Sequence, residues 1–131
     1  MAEATLGGRK VLVTGGAGFI GSELVHQLAD GGADIVVVDN LVNGKRENLA
    51  DVPGDRVHLD VSDIRDSDVM AKLLDGVEIV YHLACLGVRH SIHDPVENHA
   101  VNASATLQLL ELSKQRDVSR FVYVSTSEVY G

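Results

Sequence analysis

The chain has 131 residues, 45% of them hydrophobic and 23% charged, the balance of an ordinary globular domain with one core. Its net charge of −8 excludes general binding to nucleic acid or to an anionic membrane surface, because no basic surplus is present to meet phosphates. The single cysteine, Cys85, excludes an internal disulfide, and no apolar run approaches the length of a membrane span; a cytoplasmic protein is expected.

"KVLVT" (Lys10 to Thr14) is a short β-branched run and reads as a buried strand. After a glycine-rich turn, Ile20, Leu24, Val25 and Leu28 recur at helical spacing, and Gly31 with Gly32 supplies the stop. "DIVVVD" (Asp34 to Asp39) is a second strand and "RVHLD" (Arg56 to Asp60) a short third. A helix then carries Val69, Met70, Leu73 and Leu74 on one face and closes on Gly76. "VEIVYHLA" (Val77 to Ala84) is a fourth strand. One longer helix runs from Pro95 to about Arg116, with Pro95 in its first turn and Val101, Ala105, Leu109 and Leu112 along it. "RFVYVST" (Arg120 to Thr126) is a fifth strand.

Strands separated mainly by helices predict an α/β fold, with a parallel sheet covered on both faces. Right-handed crossovers make it doubly wound (a Rossmann fold) in the order 3-2-1-4-5, with a switch point between the first and fourth strands. The whole of residues 1–131 reads as one domain, with no repeat or linker.

"TGGAGFIGS" (Thr14 to Ser22) leaves the first strand and opens the first helix, with Gly15, Gly18 and Gly21 in a Gly-x-x-Gly-x-x-Gly pattern. The first glycine allows a tight turn, the second lets a pyrophosphate approach the backbone, and the third lets helix and strand pack closely. The helix start then offers free N–H groups to phosphate. On spacing alone the motif also suits a plain tight turn. Asp39 ends the second strand 18 residues after Gly21, where an acid would bind ribose hydroxyls. The combination predicts a dinucleotide site, and the carboxylate favours NAD over NADP because it would repel a 2′-phosphate. Lys45 and Arg46 in the next loop read as solvated cations.

With these residues in place, the sequence resembles the N-terminal part of an extended short-chain dehydrogenase/reductase. Within that superfamily it is similar to the NAD-dependent nucleotide-sugar epimerases, dehydratases and decarboxylases. The resemblance implies a pyrophosphate site lined also by Phe19 and Ile20. It implies ribose and adenosine contacts from Asp39, Asn40, Asn43 and Gly44 of "VVDNLVNGKREN", and adenine contacts from Asp63 and Ile64 of "DVSDIRD". Leu83, Ala84 and Cys85 of "YHLACLG" would lie along the cofactor, and Asn102 would hold that strand end. In "STSEVYG", Ser125 would border the cofactor, Thr126 would be the catalytic Ser/Thr, and Glu128 a candidate acid/base. The implied partners are NAD and a nucleotide sugar, and the implied parent is a homodimer.

Each role has a plainer alternative. Asp63 would serve equally as a carboxylate at the start of the following helix, and Asn102 as a surface residue. Cys85 reads as a small buried apolar residue whose backbone nears the cofactor. Glu128 also reads as a carboxylate near a turn. His90, His93 and His99, with Asp94 and Glu97, fit no zinc-ligand spacing, so no metal is expected; they read as a solvated loop and helix start. Arg89 is expected on a loop at the ligand end of the sheet, either touching substrate or simply solvated.

In the family, NAD takes hydride from a sugar carbon to give a transient ketone, and a Tyr in a Tyr-x-x-x-Lys pair removes the hydroxyl proton. Tyr81 and Tyr123 are followed four residues later by Cys85 and Ser127, and Tyr130 is the penultimate residue, so no such pair exists here. The apolar "FVYV" strand is expected to be covered on both faces and paired on both sides. These features predict an N-terminal portion of a longer enzyme, truncated after the fifth strand and inactive by itself. The alternatives are a non-catalytic dinucleotide sensor, or a half supplied to a separate chain.

Overall fold

The structure, a computed structural model, describes residues 6–130; Met1 to Thr5 and the Gly131 of the closing motif lie outside the described residues. Five parallel strands, β1 (Lys10–Thr14), β2 (Asp34–Asp39), β3 (Val57–Val61), β4 (Ile79–His82) and β5 (Arg120–Tyr123), form one sheet in the order β3-β2-β1-β4-β5. Val13 of β1 stands beside Val37 of β2 and Tyr81 of β4, which fixes the central register.

β1 is apolar without alternation because both of its faces are covered. Val11 and Val13 point to one side, where Val25 and Leu28 of α1 (Phe19–Asp30) pack with Ile35 and Val37. Leu12 points to the other, against Met70 of α2 (Ser67–Leu73), Leu74, and Leu109 of α5 (Ala105–Gln115). Complete burial of Leu12 and Leu109 contributes about 2–3 kcal/mol each.

α1 ends as the glycine pair requires. Gly32 adopts φ +85°, and the Ala33 N–H reaches back to Leu28 O at 3.1 Å while the Gly32 N–H meets Ala29 O at 2.9 Å. The N-cap of α2 is Asp66, which accepts from the Val69 N–H, so Asp63 is free of that duty.

Three expectations need correction. The helix expected from Pro95 to Arg116 is not uniform: α4 (Pro95–His99) and α5 are joined by a π-helical turn, Ala100–Ser104. Arg89 and His90 sit on a short helix, α3 (Val88–His93), rather than on a loop. The third strand starts one residue later than expected, while the fourth and fifth are shorter, β5 stopping at Tyr123. Among the described residues β5 pairs with β4 alone, and Tyr123 is 57% exposed, so this apolar strand has the open edge and partly bare face expected of an N-terminal portion. Among the described residues, no helix is long and apolar enough to cross a membrane.

Candidate functional site

At the carboxyl ends of the strands, the chain leaves β1 toward α1 and leaves β4 in the opposite direction across the sheet. This opens a crevice at the point where the strand order reverses. A pocket of about 300 Å³ occupies it.

One wall is the glycine turn. Gly15 has φ +68°, and a Cβ there would meet Ala84 N at 2.9 Å, so the turn lies directly on the β4 exit. A Cβ on Gly21 would collide with the Gly15 carbonyl oxygen and lie 2.8 Å from Gly16 Cα, which requires glycine for helix and turn to touch. Gly18 differs. It is the N-cap of α1, with no side-chain cap and φ −76°, a Cβ there would lie 3.3 Å from Gly15 O, and it lines the pocket. An uncapped twelve-residue helix beginning at a pocket is suited to an anion.

Asp39, at the end of β2, is 8% exposed and lines the same pocket. Its Oδ2 accepts from the Ala17 N–H at 3.0 Å and its Oδ1 from the Leu41 N–H at 2.8 Å. Each oxygen keeps a further lone pair for a diol. Leu41 adopts φ 59°, a rare state for leucine, and Gly44 packs so closely that a Cβ would lie 2.8 Å from both carboxylate oxygens. Asn40, Asn43 and Gly44 join Asp39 in the lining.

The β3 exit adds Asp63 and Ile64, the latter largely buried. Hydrogen bonds from the Arg65 guanidinium hold the Asp63 carboxyl below the usual carboxylate range, against a smaller opposing effect of burial.

The second wall is the β4 exit, where Leu83, Ala84 and Cys85 line the pocket. Behind them lies fully buried His82, with Nδ1 2.6 Å from the Thr14 hydroxyl and Nε2 2.8 Å from the Thr106 hydroxyl. Thr14 Oγ1 also accepts the Leu83 and Ala84 N–H groups at 3.1 Å each, and Thr106 donates to Asn102 O at 2.9 Å. Only one proton arrangement satisfies every atom: Thr14 donates to Nδ1, and the Nε2 proton goes to Thr106. Burial pushes the His82 pKa down to about 4, so the ring is neutral in this network.

Asn102, in the π-helical turn, clamps the next residue. Its Oδ1 accepts the Leu86 N–H at 2.8 Å and its Nδ2 donates to Leu86 O at 2.7 Å. It holds the strand exit without lining the pocket.

Not every expected residue converges. Phe19 and Ile20 are 94% and 68% exposed, and their side chains border a separate depression with Ser22, Glu23 and Asn48. Only their backbone N–H groups stand at the helix start. Cys85 is exposed in the pocket, which corrects its reading as a buried apolar residue. Ser125 and Thr126 follow β5 outside the pocket lining, and Glu128 lies in a short 3₁₀ turn, its N–H 3.2 Å from Thr126 Oγ1. Conversely, Arg65, His90 and Glu97 line the pocket without having been singled out for it. His90, expected in a solvated loop, places its Nε2 2.9 Å from Glu97 Oε2.

Comparison with known proteins places this geometry. A UDP-glucuronic acid decarboxylase of Arabidopsis thaliana is 41% identical over 126 residues, covering 93% of this chain and 27% of the relative. The structure of a UDP-N-acetylglucosamine 4-epimerase from Methanobrevibacter ruminantium, in complex with UDP-N-acetylmuramic acid, superposes with a TM-score of 0.88 at 35% identity, over 95% of this chain and 40% of that one. A dTDP-glucose 4,6-dehydratase of Streptomyces venezuelae, with NAD bound, superposes with a TM-score of 0.86 at 42% identity, over 93% of this chain and 41% of that one. The chain therefore spans between about a quarter and two-fifths of the length of these relatives. The model of the NAD dependent epimerase/dehydratase family matches residues 11–131, the stretch that builds the glycine turn, the β2 carboxylate and the β4 exit, and the chain belongs to that family.

Proposed function

We propose that this chain is the NAD-binding domain of a nucleotide-sugar-modifying enzyme of the epimerase, dehydratase or decarboxylase type. The observation that carries the reading is the single pocket into which the uncapped start of α1, Asp39, Asp63 and the Leu83–Cys85 segment all converge. The residues fit the cofactor. Gly18, without a side chain, lets a pyrophosphate approach the helix start in the pocket, Asp39 keeps lone pairs for ribose hydroxyls, and Asp63 with Ile64 faces the slot where adenine would lie. When bound, NAD supplies hydride acceptance and return.

The chain's own residues bind and orient. The α1 start neutralises phosphate charge, and the Thr14–His82 network fixes the Leu83–Ala84 backbone beside the slot. Ser125 would border the nicotinamide end, Thr126 orient a sugar hydroxyl, and Glu128 serve as an acid or base. A threonine hydroxyl is too weak a base to take that proton unaided, and these residues contain no Tyr-x-x-x-Lys pair to take it. The chain thus supplies the cofactor-holding part of the chemistry, with no turnover of its own.

Titration calorimetry of the chain with NAD and NADP tests the reading. NAD should bind about tenfold more tightly, and Asp39→Ala should erase most of that difference. Equal affinities in the unsubstituted chain, or no effect of Asp39→Ala, would remove the ribose assignment.

A further inference from the structure

A charged chain crosses the mouth of the pocket. Arg65, on the loop after β3, places Nη2 2.6 Å from Asp63 Oδ2 and Nε within 3.1 Å of both carboxylate oxygens, while its backbone N–H meets Oδ1 at 2.8 Å. On the other side Nη1 lies 3.4 Å from Glu97 Oε1 of α4, and Glu97 Oε2 lies 2.9 Å from His90 Nε2 of α3. All four side chains line the pocket.

The two halves of this chain differ in reach. Asp63 and Arg65 are two residues apart, so their pair moves as one local unit. Arg65 and Glu97 are 32 residues apart, so theirs ties that unit to the opposite wall. Every member is about a third exposed or more, where ion pairs add little to fold stability. Orientation is what such a chain can supply. A half-exposed carboxylate left alone turns toward solvent; pinned by a fork from one side, it presents a fixed anionic acceptor. A fixed anionic acceptor receives a hydrogen bond from an exocyclic amino group and repels a carbonyl oxygen.

We propose that Arg65, held across the slot by Glu97, is a positioning residue that makes the pocket select a 6-aminopurine over a 6-oxopurine dinucleotide, acting through the Asp63 carboxylate. The inference rests on the dinucleotide reading above and adds base selectivity to it.

The test is fluorescence titration of the chain with NADH and with reduced nicotinamide hypoxanthine dinucleotide, which replaces the 6-amino group by oxygen. The unsubstituted chain should prefer the adenine form by about tenfold. Glu97→Gln, nearly isosteric, should cut that preference about threefold without moving the melting temperature. Arg65→Lys, which keeps the charge but loses the fork, should cut it by at least as much. A preference unchanged in both variants overturns the inference, as does an equal loss of affinity for both dinucleotides, which a merely structural role would produce. Failure of the unsubstituted chain to bind either dinucleotide overturns the dinucleotide reading, and this inference with it.

Discussion

On the β1 side of the crevice the wall is backbone: Gly15 lies so close to the Ala84 main chain, and Gly21 to the main chain of Gly15 and Gly16, that no Cβ fits at either. On the β4 side the wall is held by side chains, through Thr14, His82, Thr106 and Asn102, across separations of up to 70 residues. The first wall has no adjustable part, so a single added atom must move main chain. The second is a relay of hydroxyl, imidazole and amide groups, each replaceable by something of similar size at the cost of its hydrogen bonds. Rigidity comes from exclusion on one side and from satisfied polarity on the other.

The largest effect should come from the backbone wall. Gly21→Val forces a β-branched side chain into the Gly15 carbonyl and should destabilise the chain by roughly 3 kcal/mol or more in urea denaturation. Gly18→Val, at φ −76° and with its Cβ 3.3 Å from Gly15 O, should cost far less stability than Gly21→Val while abolishing NAD binding. Equal stability loss in the two variants would break the distinction between a packing glycine and a ligand-approach glycine.

The side-chain wall should show itself in acid. His82 titrates near 4 in the folded chain against an ordinary 6.5, so the unfolded state binds the extra proton. Its contribution is complete above pH ~6.5 and is lost as pH falls from there toward ~4, up to about 3 kcal/mol. His82→Gln, which cannot titrate, should be less stable at neutral pH by about 2 kcal/mol and should show a shallower loss over that window. Parallel pH profiles for the two proteins would mean that His82 is protonated without penalty. The smallest effect is expected at Asn102→Ala, about 1 kcal/mol, seen best as faster hydrogen exchange at the Leu86 amide.

Much of the first wall was legible in the sequence because its signal is local. Three glycines at fixed spacing between a β-branched run and an amphipathic helix, followed by Asp39, describe turn, helix start and carboxylate in one stretch of chain. The five strands were legible for the same reason, each a short apolar run bounded by turn residues, and their order followed from the right-handed crossovers of a parallel sheet. The second wall was less so. Nothing local distinguishes His82 in "VEIVYHLA" from any strand histidine, since its partners lie 68 residues back and 24 ahead. Cys85 was misread because an apolar strand run was carried past His82, where the chain has already left the sheet and lines the pocket. His90 and Glu97 read as a solvated loop and helix start because no ligand spacing joins them and nothing local shows that their side chains meet. Asp94 caps the helix that begins at Pro95, its carboxylate accepting the Glu97 N–H at 2.9 Å, and Glu97 there reaches Arg65.

The π-helical turn at Ala100–Ser104 gives the helix two phases. Ahead of it and within it, Asn98 and Asn102 are set by the β4 exit, with both amides bonded to Leu86. Beyond it, Ala105 and Leu109 are set by the sheet, and Thr106 by His82. A regular helix advances about 100° per residue and keeps a single phase from end to end. The wide turn inserts the offset that lets both sets of contacts hold at once. Shortening this segment by one residue would leave a more regular helix and a worse protein, because either the strand exit or the sheet would have to give up its partner.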